Sequence, residues 1–138
     1  MDEKRLREIY GPAKEKAAAK ILTKLDRHCV SFIENSSFVI IGTLNDQNVD
    51  LSPKGDPYGF VKVIGQDLLE IPDRPGNNRI DGLLNIVRNR FISLLFLIPS
   101  VNETLRVQGE AVISEDMDTR ERHLSLIHIS EPTRLGAI

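Results

Sequence analysis

The chain has 138 residues, of which 41% are hydrophobic and 28% charged, so it has the size and composition of one ordinary globular domain. A formal net charge of -2 and the lack of any Lys/Arg cluster argue against nucleic-acid binding, and a single cysteine excludes an internal disulfide or a multi-cysteine metal site. The N-terminus is charged rather than apolar, and the longest apolar run, Phe91 to Ile98, is too short for a membrane span. We therefore expect a soluble cytoplasmic protein.

The first predicted element is an amphipathic helix over residues 12–34. Its apolar residues recur at three- and four-residue spacing: Ala18, Leu22, Leu25, Cys29 and Phe32. Pro12 suits the start of this helix, and the polar residues 35–37 suit its end. Adjacent helical residues point in different directions and no second ligand pair lies nearby, so we interpret Cys29 as a core residue and His28 as a surface or capping residue.

The pattern then changes to that of strands. Residues 37–44 are rich in β-branched and aromatic side chains, and residues 45–48 predict the turn of a hairpin that continues through 49–53. Further strands are predicted at 59–65, 67–71, 91–98 and 103–114. A second helix is predicted at 78–89, with an apolar stripe of Ile80, Leu83, Leu84 and Val87.

Two of these strands predict how the sheet is covered. In the last one, apolar residues (Leu105, Val107, Gly109, Ala111, Ile113) alternate with polar ones (Arg106, Gln108, Glu110), as expected for a half-buried antiparallel strand. The unbroken apolar run at 91–98 instead predicts apolar surroundings on both faces, with barrel closure on one side and a helix or partner subunit on the other. The sequence therefore predicts a small antiparallel barrel with a long N-terminal helix and one helix inserted between strands.

Two loops of this barrel carry the candidate binding residues. "LSPKGDPYG" (51–59) places Lys54 and Gly55 just past a strand end, and "IPDRPGNNR" (71–79) carries Arg74, Asn77, Asn78 and Arg79 into the first turn of a helix. Cationic side chains beside free helical N–H groups suit an anion such as a phosphate. The alternative is that Asn77 only caps the helix, Asp73 and Arg74 form a surface pair, and Lys54 is solvated. The residue pattern alone does not choose between the two.

Four motifs, in order, resemble the FMN-dependent branch of the pyridoxamine phosphate oxidase class: "SPKGDPYGFV", "LLEIPDRPGNNRIDGLLNIVRN", "LLFLIP" and "NETLRVQGEAVIS". The resemblance covers essentially residues 3–116. It implies a mainly β (α+β) fold, an antiparallel split β-barrel. On this basis residues 1–36 are a helical segment, and residues 37–123 are the FMN-binding split-barrel domain.

Resemblance to that class also implies the ligand and the assembly. We expect a homodimer with FMN at the subunit interface, a small-molecule substrate, and no nucleic-acid or membrane partner. The residues that match the family motif are assigned by this resemblance. Ser52, Lys54 and Gly55 would line the phosphate and ribityl region, and Asn77, Asn78 and Arg79 would hold the phosphate at the helix start, with Arg74 as a further contact. Arg106 would meet the flavin or a partner subunit, or else form only a surface ion pair.

The reaction is less defined than the cofactor. The resemblance implies an FMN-binding oxidoreductase of unknown substrate, and the sequence shows no G-x-S-x-G nucleophile motif. Two alternatives are a flavin-binding or storage module without turnover, and a split barrel that uses deazaflavin or heme. Heme would require an axial histidine, and ahead of the C-terminal tail (124–138) His28 and His123 are the candidates.

The C-terminal tail does not read as native protein. "LSLIHISEPTR" (124–134) is what one reading frame of a common transposase-based sequencing adapter encodes, so residues 124–138 are interpreted as non-native. The native domain would then continue past His123 with a segment that is missing here. The alternative is a genuine strand over 124–129 followed by a proline-containing turn.

Overall fold

A computed structural model of the chain describes residues 1–12, 14–15, 22, 24–65, 67–74, 76–114 and 125–137, with the backbone alone for the last range. Three helices lie entirely within these ranges, α1 (Glu3–Tyr10), α2 (Arg27–Glu34) and α3 (Asp81–Arg88), and Glu15 is helical as well. The strands are β1 (Phe38–Leu44), β2 (Val49–Gly55), β3 (Lys62–Ile64), β4 (Leu68–Asp73), β5 (Phe91–Leu97), β6 (Thr104–Ser114) and β7 (Ser125–Ala137). The six strands predicted from the sequence are all present, within a few residues of their expected bounds.

All seven strands form one antiparallel sheet in the order β2-β1-β5-β6-β7-β4-β3. Strands β2 and β4 are separated by four other strands in this order, yet Lys54 on β2 and Asp73 on β4 are in contact. The sheet is therefore curled, and the opening between β2 and β4 splits the barrel. This architecture confirms the predicted mainly β, antiparallel split-barrel fold.

The curled sheet buries its inner face. The side chains that are almost fully enclosed there come from β1, β4, β5 and β6: Val39, Ile41, Leu69, Ile71, Leu94, Phe96, Leu105, Val107 and Ala111. The alternation predicted for β6 is confirmed, because Leu105, Val107 and Ala111 are buried while Arg106 and Glu110 are exposed. On β5 the inner face is buried, whereas the outer face is only half-buried and Phe91 is exposed.

Helix α2 starts later than predicted. Asp26 has an extended backbone, and its carboxylate accepts a hydrogen bond from the Cys29 backbone N–H at 2.8 Å, so the helix begins at Arg27 rather than continuing from Pro12. An aspartate at this position favours the start of a helix, because its carboxylate accepts a hydrogen bond from a free N–H of the first turn. Most of residues 12–23, including Ala18, lie outside the described residues. The predicted end is confirmed, with Asn35 following the last helical residue.

Cys29 and His28 have the roles expected from the sequence. The Cys29 side chain is buried in the core, and this burial, with a smaller contribution from Asp26, raises the pKa of its thiol to about 11. His28 is exposed and lies 3.3 Å from the Glu103 carboxylate. Among the described residues, no group of histidine, cysteine or carboxylate side chains is arranged to hold a metal ion.

The helix inserted between β4 and β5 is rotated relative to the prediction. In α3 the buried residues are Asn85 and Ile86, with Leu83 partly buried. Ile80, Leu84 and Val87, expected to belong to a buried stripe, are exposed. The rotation has a polar cause, because the Asn85 side-chain amide donates a hydrogen bond to the buried Thr43 hydroxyl on β1 at 3.1 Å.

Helix α1 lies within the helical segment predicted for residues 1–36, although its bounds were not predicted. It is capped by Asp2, whose carboxylate accepts from the Arg5 backbone N–H at 2.8 Å, and none of its residues is buried. None of the helices in the described ranges is both long and apolar enough to cross a membrane.

Strand β7 lies inside the interpreted adapter segment. Its backbone pairs with β4 on one side and with β6 on the other, and so joins the two parts of the sheet. This placement does not test the origin of the segment, so its non-native character stays a prediction. In the structure this segment fills the place between β6 and β4.

The two helix caps predict different effects of the same substitution. Asp26→Ala should lower the free energy of unfolding by about 1 kcal/mol, since α2 carries core side chains and loses its cap.

Hydrogen bonding from the Cys29 N–H lowers the pKa of Asp26. The contribution of this cap should therefore be present above the carboxylate's ordinary pKa and be lost as the pH falls through the lowered value. Urea unfolding at neutral and acidic pH measures both effects. Asp2→Ala is the matched control and should change stability little, because α1 buries no side chain.

Shortening the chain at either end should have opposite outcomes. A chain that ends at His123 lacks β7, which leaves β4 and β6 without a shared partner, so we expect loss of cooperative thermal unfolding by circular dichroism. Removal of residues 1–10 should leave the transition unchanged, since α1 contributes nothing to the core. An unchanged transition without β7 would show that the remaining strands pair differently from the arrangement described above.

Candidate functional site

A pocket of about 460 Å³ opens where the barrel is split. Strands β1 and β2 form one wall, the end of β4 and the loop after it form the other, and the first turns of α3 close it. Its volume is within the range of ordinary small-molecule sites. The polar and charged side chains that line it are Thr43, Asp50, Ser52, Lys54, Asp73, Arg74, Asn77, Asn78, Arg79 and Asp81.

Lys54 is the most enclosed cation of the pocket. Strand alternation turns Asp50, Ser52 and Lys54 to the inner side of β2, where their side chains face the pocket. The Lys54 ammonium donates to the Asp73 carboxylate at 2.9 Å, and the two side chains are only 26% and 18% exposed. The alternative that Lys54 is merely solvated is therefore wrong.

The loop between β4 and α3 has an unusual backbone. Asn78 and Ile80 both adopt left-handed conformations, with φ of 60° and 48°. Asparagine tolerates this region, but a β-branched residue such as isoleucine is strained there. The Asn77 side chain accepts a hydrogen bond from the Arg79 backbone N–H at 3.1 Å and so folds the loop back on itself.

The N-terminus of α3 has no side-chain cap. Ile80 occupies the cap position and cannot accept a hydrogen bond through its side chain, and Asn77 is engaged with Arg79 instead. The alternative that Asn77 caps this helix is therefore wrong. The first turn of α3 carries backbone N–H groups that have no partner within the helix, and this turn lines the pocket. A helix end of this kind attracts anions.

The two pocket arginines are ion-paired at the surface. The Arg74 guanidinium donates to the Asp56 carboxylate at 2.8 Å, so Arg74 pairs with Asp56 and not with Asp73 as the surface-pair alternative proposed. The Arg79 guanidinium pairs with Asp81 at 2.9 Å, and its side chain is 76% exposed. Exposed pairs of this kind contribute little to stability, so Arg79 is free to change partner at small cost.

The structure thus brings together six of the eight residues assigned from the sequence: Ser52, Lys54, Arg74, Asn77, Asn78 and Arg79. Gly55 ends β2 opposite Phe38 and does not line the pocket. Arg106 is exposed on the outer face of the sheet, opposite Leu95, and it does not line the pocket either. The roles of Gly55 and Arg106 stay predictions.

Sequence reasoning missed two polar residues of the pocket, Asp50 and Thr43. Asp50 and Thr43 are cross-strand partners on β2 and β1, and both lie against the first turn of α3 near Gly82. Within the described residues, the Asp50 carboxylate has neither a hydrogen bond nor an ion pair. The alternation of β2 was a usable signal, since a strand that turns Lys54 and Ser52 inward also turns Asp50 inward.

Comparisons with known proteins agree with this architecture. Several solved structures share the fold. The H111A variant of HupZ from Group A Streptococcus is 16% identical with a TM-score of 0.64, over 83% of this chain and 99% of that one. The FAD binding protein from Mycobacterium smegmatis is 16% identical with a TM-score of 0.53, over 83% and 94%. General Stress Protein 26 from Bacillus anthracis is 17% identical with a TM-score of 0.52, over 78% and 88%.

At these identities the solved structures show the fold alone. A search of curated proteins found no match. The sequence itself, however, matches the family model described as pyridoxamine 5'-phosphate oxidase over residues 25–128. That match runs from the residue before the cap of α2 into β7, and so includes both walls of the pocket. On this match the chain belongs to the pyridoxamine 5'-phosphate oxidase family.

Proposed function

We propose that this protein binds FMN, with the phosphate in the pocket between β2 and α3, and acts as an FMN-dependent oxidoreductase. The observation that carries the proposal is the position of Lys54, whose ammonium lies in the pocket that the uncapped N-terminus of α3 also lines. A charged donor and free helical N–H groups are the features that proteins use for phosphate.

Family membership and one structural neighbour support a flavin in particular. The neighbour from Mycobacterium smegmatis is an FAD binding protein with the same fold. The donors of this pocket fit the phosphate end that FMN presents, since Lys54, Arg79 and the amides of Asn77 and Asn78 are all hydrogen-bond donors on its lining. A cytoplasmic location, expected from the sequence, stays a prediction.

A bound flavin would supply the hydride or electron transfer, and the protein would supply binding and orientation. Lys54 would hold the phosphate by a charge-assisted hydrogen bond. Ser52 lies two residues before Lys54 on the same inner face of β2, and its hydroxyl would donate a hydrogen bond to the adjacent part of the ligand. Asp50 would face the next part of the ligand along β2. Its carboxylate can only accept, so it suits a hydroxyl or N–H group.

Heme is disfavoured at this pocket by the chemistry of its lining. Neither histidine nor cysteine is among the lining residues, and both are usual axial ligands of heme iron. His28 is exposed beside Glu103 on another part of the surface, His123 lies outside the described residues, and His128 is on β7 at the position paired with Glu70 and Val112. A flavin-binding or storage module differs from an oxidoreductase only in turnover, which the experiments below separate.

We also propose that the protein is a homodimer with the flavin near the subunit interface. Leu84 and Val87 on α3 and Ile80, at the cap position before it, are all exposed and form an apolar stripe. Ile80 also lines the pocket, so this stripe starts at the pocket rim. A contiguous exposed apolar surface is typical of an interface, and a second copy that covered it would also enclose the pocket.

The phosphate site predicts a ranking of substitutions in an FMN titration followed by flavin fluorescence. Lys54→Ala should weaken binding by about 1.5 to 3 kcal/mol, the loss expected for a charged hydrogen bond. Arg79→Ala should weaken it by less than about 1 kcal/mol, because its side chain is mostly in solvent. Lys62→Ala on β3 is the matched control, since Lys62 is an exposed cation that does not line the pocket, and it should leave FMN affinity unchanged. A folded protein that binds no FMN would rule out the proposal.

Turnover is tested on the FMN-loaded protein. A reduced nicotinamide dinucleotide should bleach the flavin absorbance, and the colour should return on admission of oxygen. FMN that binds with the expected ranking of variants but is never reduced by any donor tried would favour the storage module.

The proposed interface predicts that Leu84→Glu produces a monomer in size-exclusion chromatography with light scattering, because a carboxylate would be desolvated in the middle of the apolar stripe. Leu6→Glu on α1 is the control, since Leu6 and Leu84 are about equally exposed, at 44% and 41%. A monomeric wild-type protein would disprove the homodimer, and a dimeric Leu84→Glu variant would place the interface elsewhere.

A further inference from the structure

The pocket described above is lined by equal numbers of opposite charges. Its cations are Lys54, Arg74 and Arg79, and its carboxylates are Asp50, Asp73 and Asp81. Each cation is already engaged by a carboxylate at 2.8 to 2.9 Å. A phosphate therefore meets no unpaired cation on this lining, and it must compete with a carboxylate for its contact.

Two of these ion pairs connect the same two segments across the split of the barrel. Lys54 and Asp56 come from the end of β2, and Asp73 and Arg74 come from the end of β4. The pairs have opposite polarity, because β2 supplies the cation of one pair and the anion of the other. If the Lys54 to Asp73 contact is lost, the Arg74 to Asp56 contact still links the same two segments.

Only one of the two pairs has both partners on the pocket lining. Lys54 and Asp73 line the pocket, whereas Asp56 does not. Asp73 is 18% exposed, so its carboxylate has little solvent to turn into when Lys54 is taken by another anion. A carboxylate ligand would only replace like with like. A phosphate, with a charge of about -1.5 to -2 and three acceptor oxygens, makes a stronger charge-assisted contact with Lys54 than a carboxylate does.

From this geometry we infer that Asp73 occupies the anion position on Lys54 in the empty pocket. A phosphate-bearing ligand binds by replacing Asp73 on Lys54, while the ion pair between Arg74 and Asp56 stays formed. Asp73 is then a specificity residue that selects phosphate esters over carboxylate ligands. The inference rests on the proposed function, since it concerns the same phosphate.

The test is a titration of the full chain with FMN, using the wild type, Asp73→Asn, Lys54→Ala and the double variant. Asp73→Asn should bind FMN about tenfold more tightly, because a competing like charge is removed at close range. In the Lys54→Ala background the same change should give a clearly smaller gain, since there is no ammonium left to compete for. Asp67→Asn, an equal change of charge on the exposed turn before β4, should leave affinity unchanged.

Weaker binding by Asp73→Asn would overturn the inference, since Asp73 would then position Lys54 for the ligand rather than compete with it. An equal gain in both backgrounds would also overturn it, because Asp73 would act through general repulsion. If wild-type protein binds no FMN, the proposed function fails, and this outcome is distinct from both of the others.

A measurement on the unaltered protein removes the dependence on variant folding. The carbon-13 resonance of the Asp73 carboxyl group should move when FMN is added at constant pH, because the carboxylate loses its ammonium partner. An FMN-saturated sample in which this resonance has not moved would overturn the exchange.

Discussion

The structure depends on the burial of one face of a single antiparallel sheet. The apolar side chains that β1, β4, β5 and β6 place on that face must be covered, and in so small a domain the sheet covers much of the face by curling on itself. Curling brings β2 near the end of β4, although four strands separate them in the sheet. The pocket, its loop and its ion pairs all lie at this junction, so the binding site is a consequence of the way in which the core is closed.

Helix α3 links the core to the pocket. Its buried side is fixed by Ile86 in the core and by the Asn85 amide on the Thr43 hydroxyl. With that side fixed, the N-terminal turn points at the pocket without a side-chain cap, and the apolar residues Leu84 and Val87 face outward. The burial of Ile86 and the Asn85 hydrogen bond together orient the N–H groups that we assign to a phosphate and the exposed stripe that we assign to a second subunit.

The charges of the pocket explain why cationic residues alone are an incomplete guide to an anion site. Lys54, Arg74 and Arg79 were identified from their types and positions, but each has a carboxylate partner supplied by a different segment or by the adjacent turn. Such pairing keeps partly buried charges compensated when no ligand is present. It also makes the affinity for a ligand depend on the difference between two contact free energies. The contact of the phosphate with the cation must be more favourable than the carboxylate contact that it replaces.

Local sequence was sufficient for features that depend on local rules. Period-two alternation determines the faces of β6, the turn residues 45–48 determine the first hairpin, and the motif at 71–79 marks the loop that lines the pocket. The start of α2 was misplaced because periodicity does not register a cap, although Asp26 was readable as one. Residues 1–36 were predicted to be helical, but the bounds of α1 were missed in the same way, with Asp2 as its cap.

Tertiary structure decided what periodicity could not. The rotation of α3 depends on a hydrogen bond between residues 42 positions apart, and the pairing of Lys54 with Asp73 rather than of Asp73 with Arg74 depends on the curl of the whole sheet. Local patterns determine which face of an element is apolar. Which polar groups meet across a split barrel depends on long-range packing, and no local pattern contains that information.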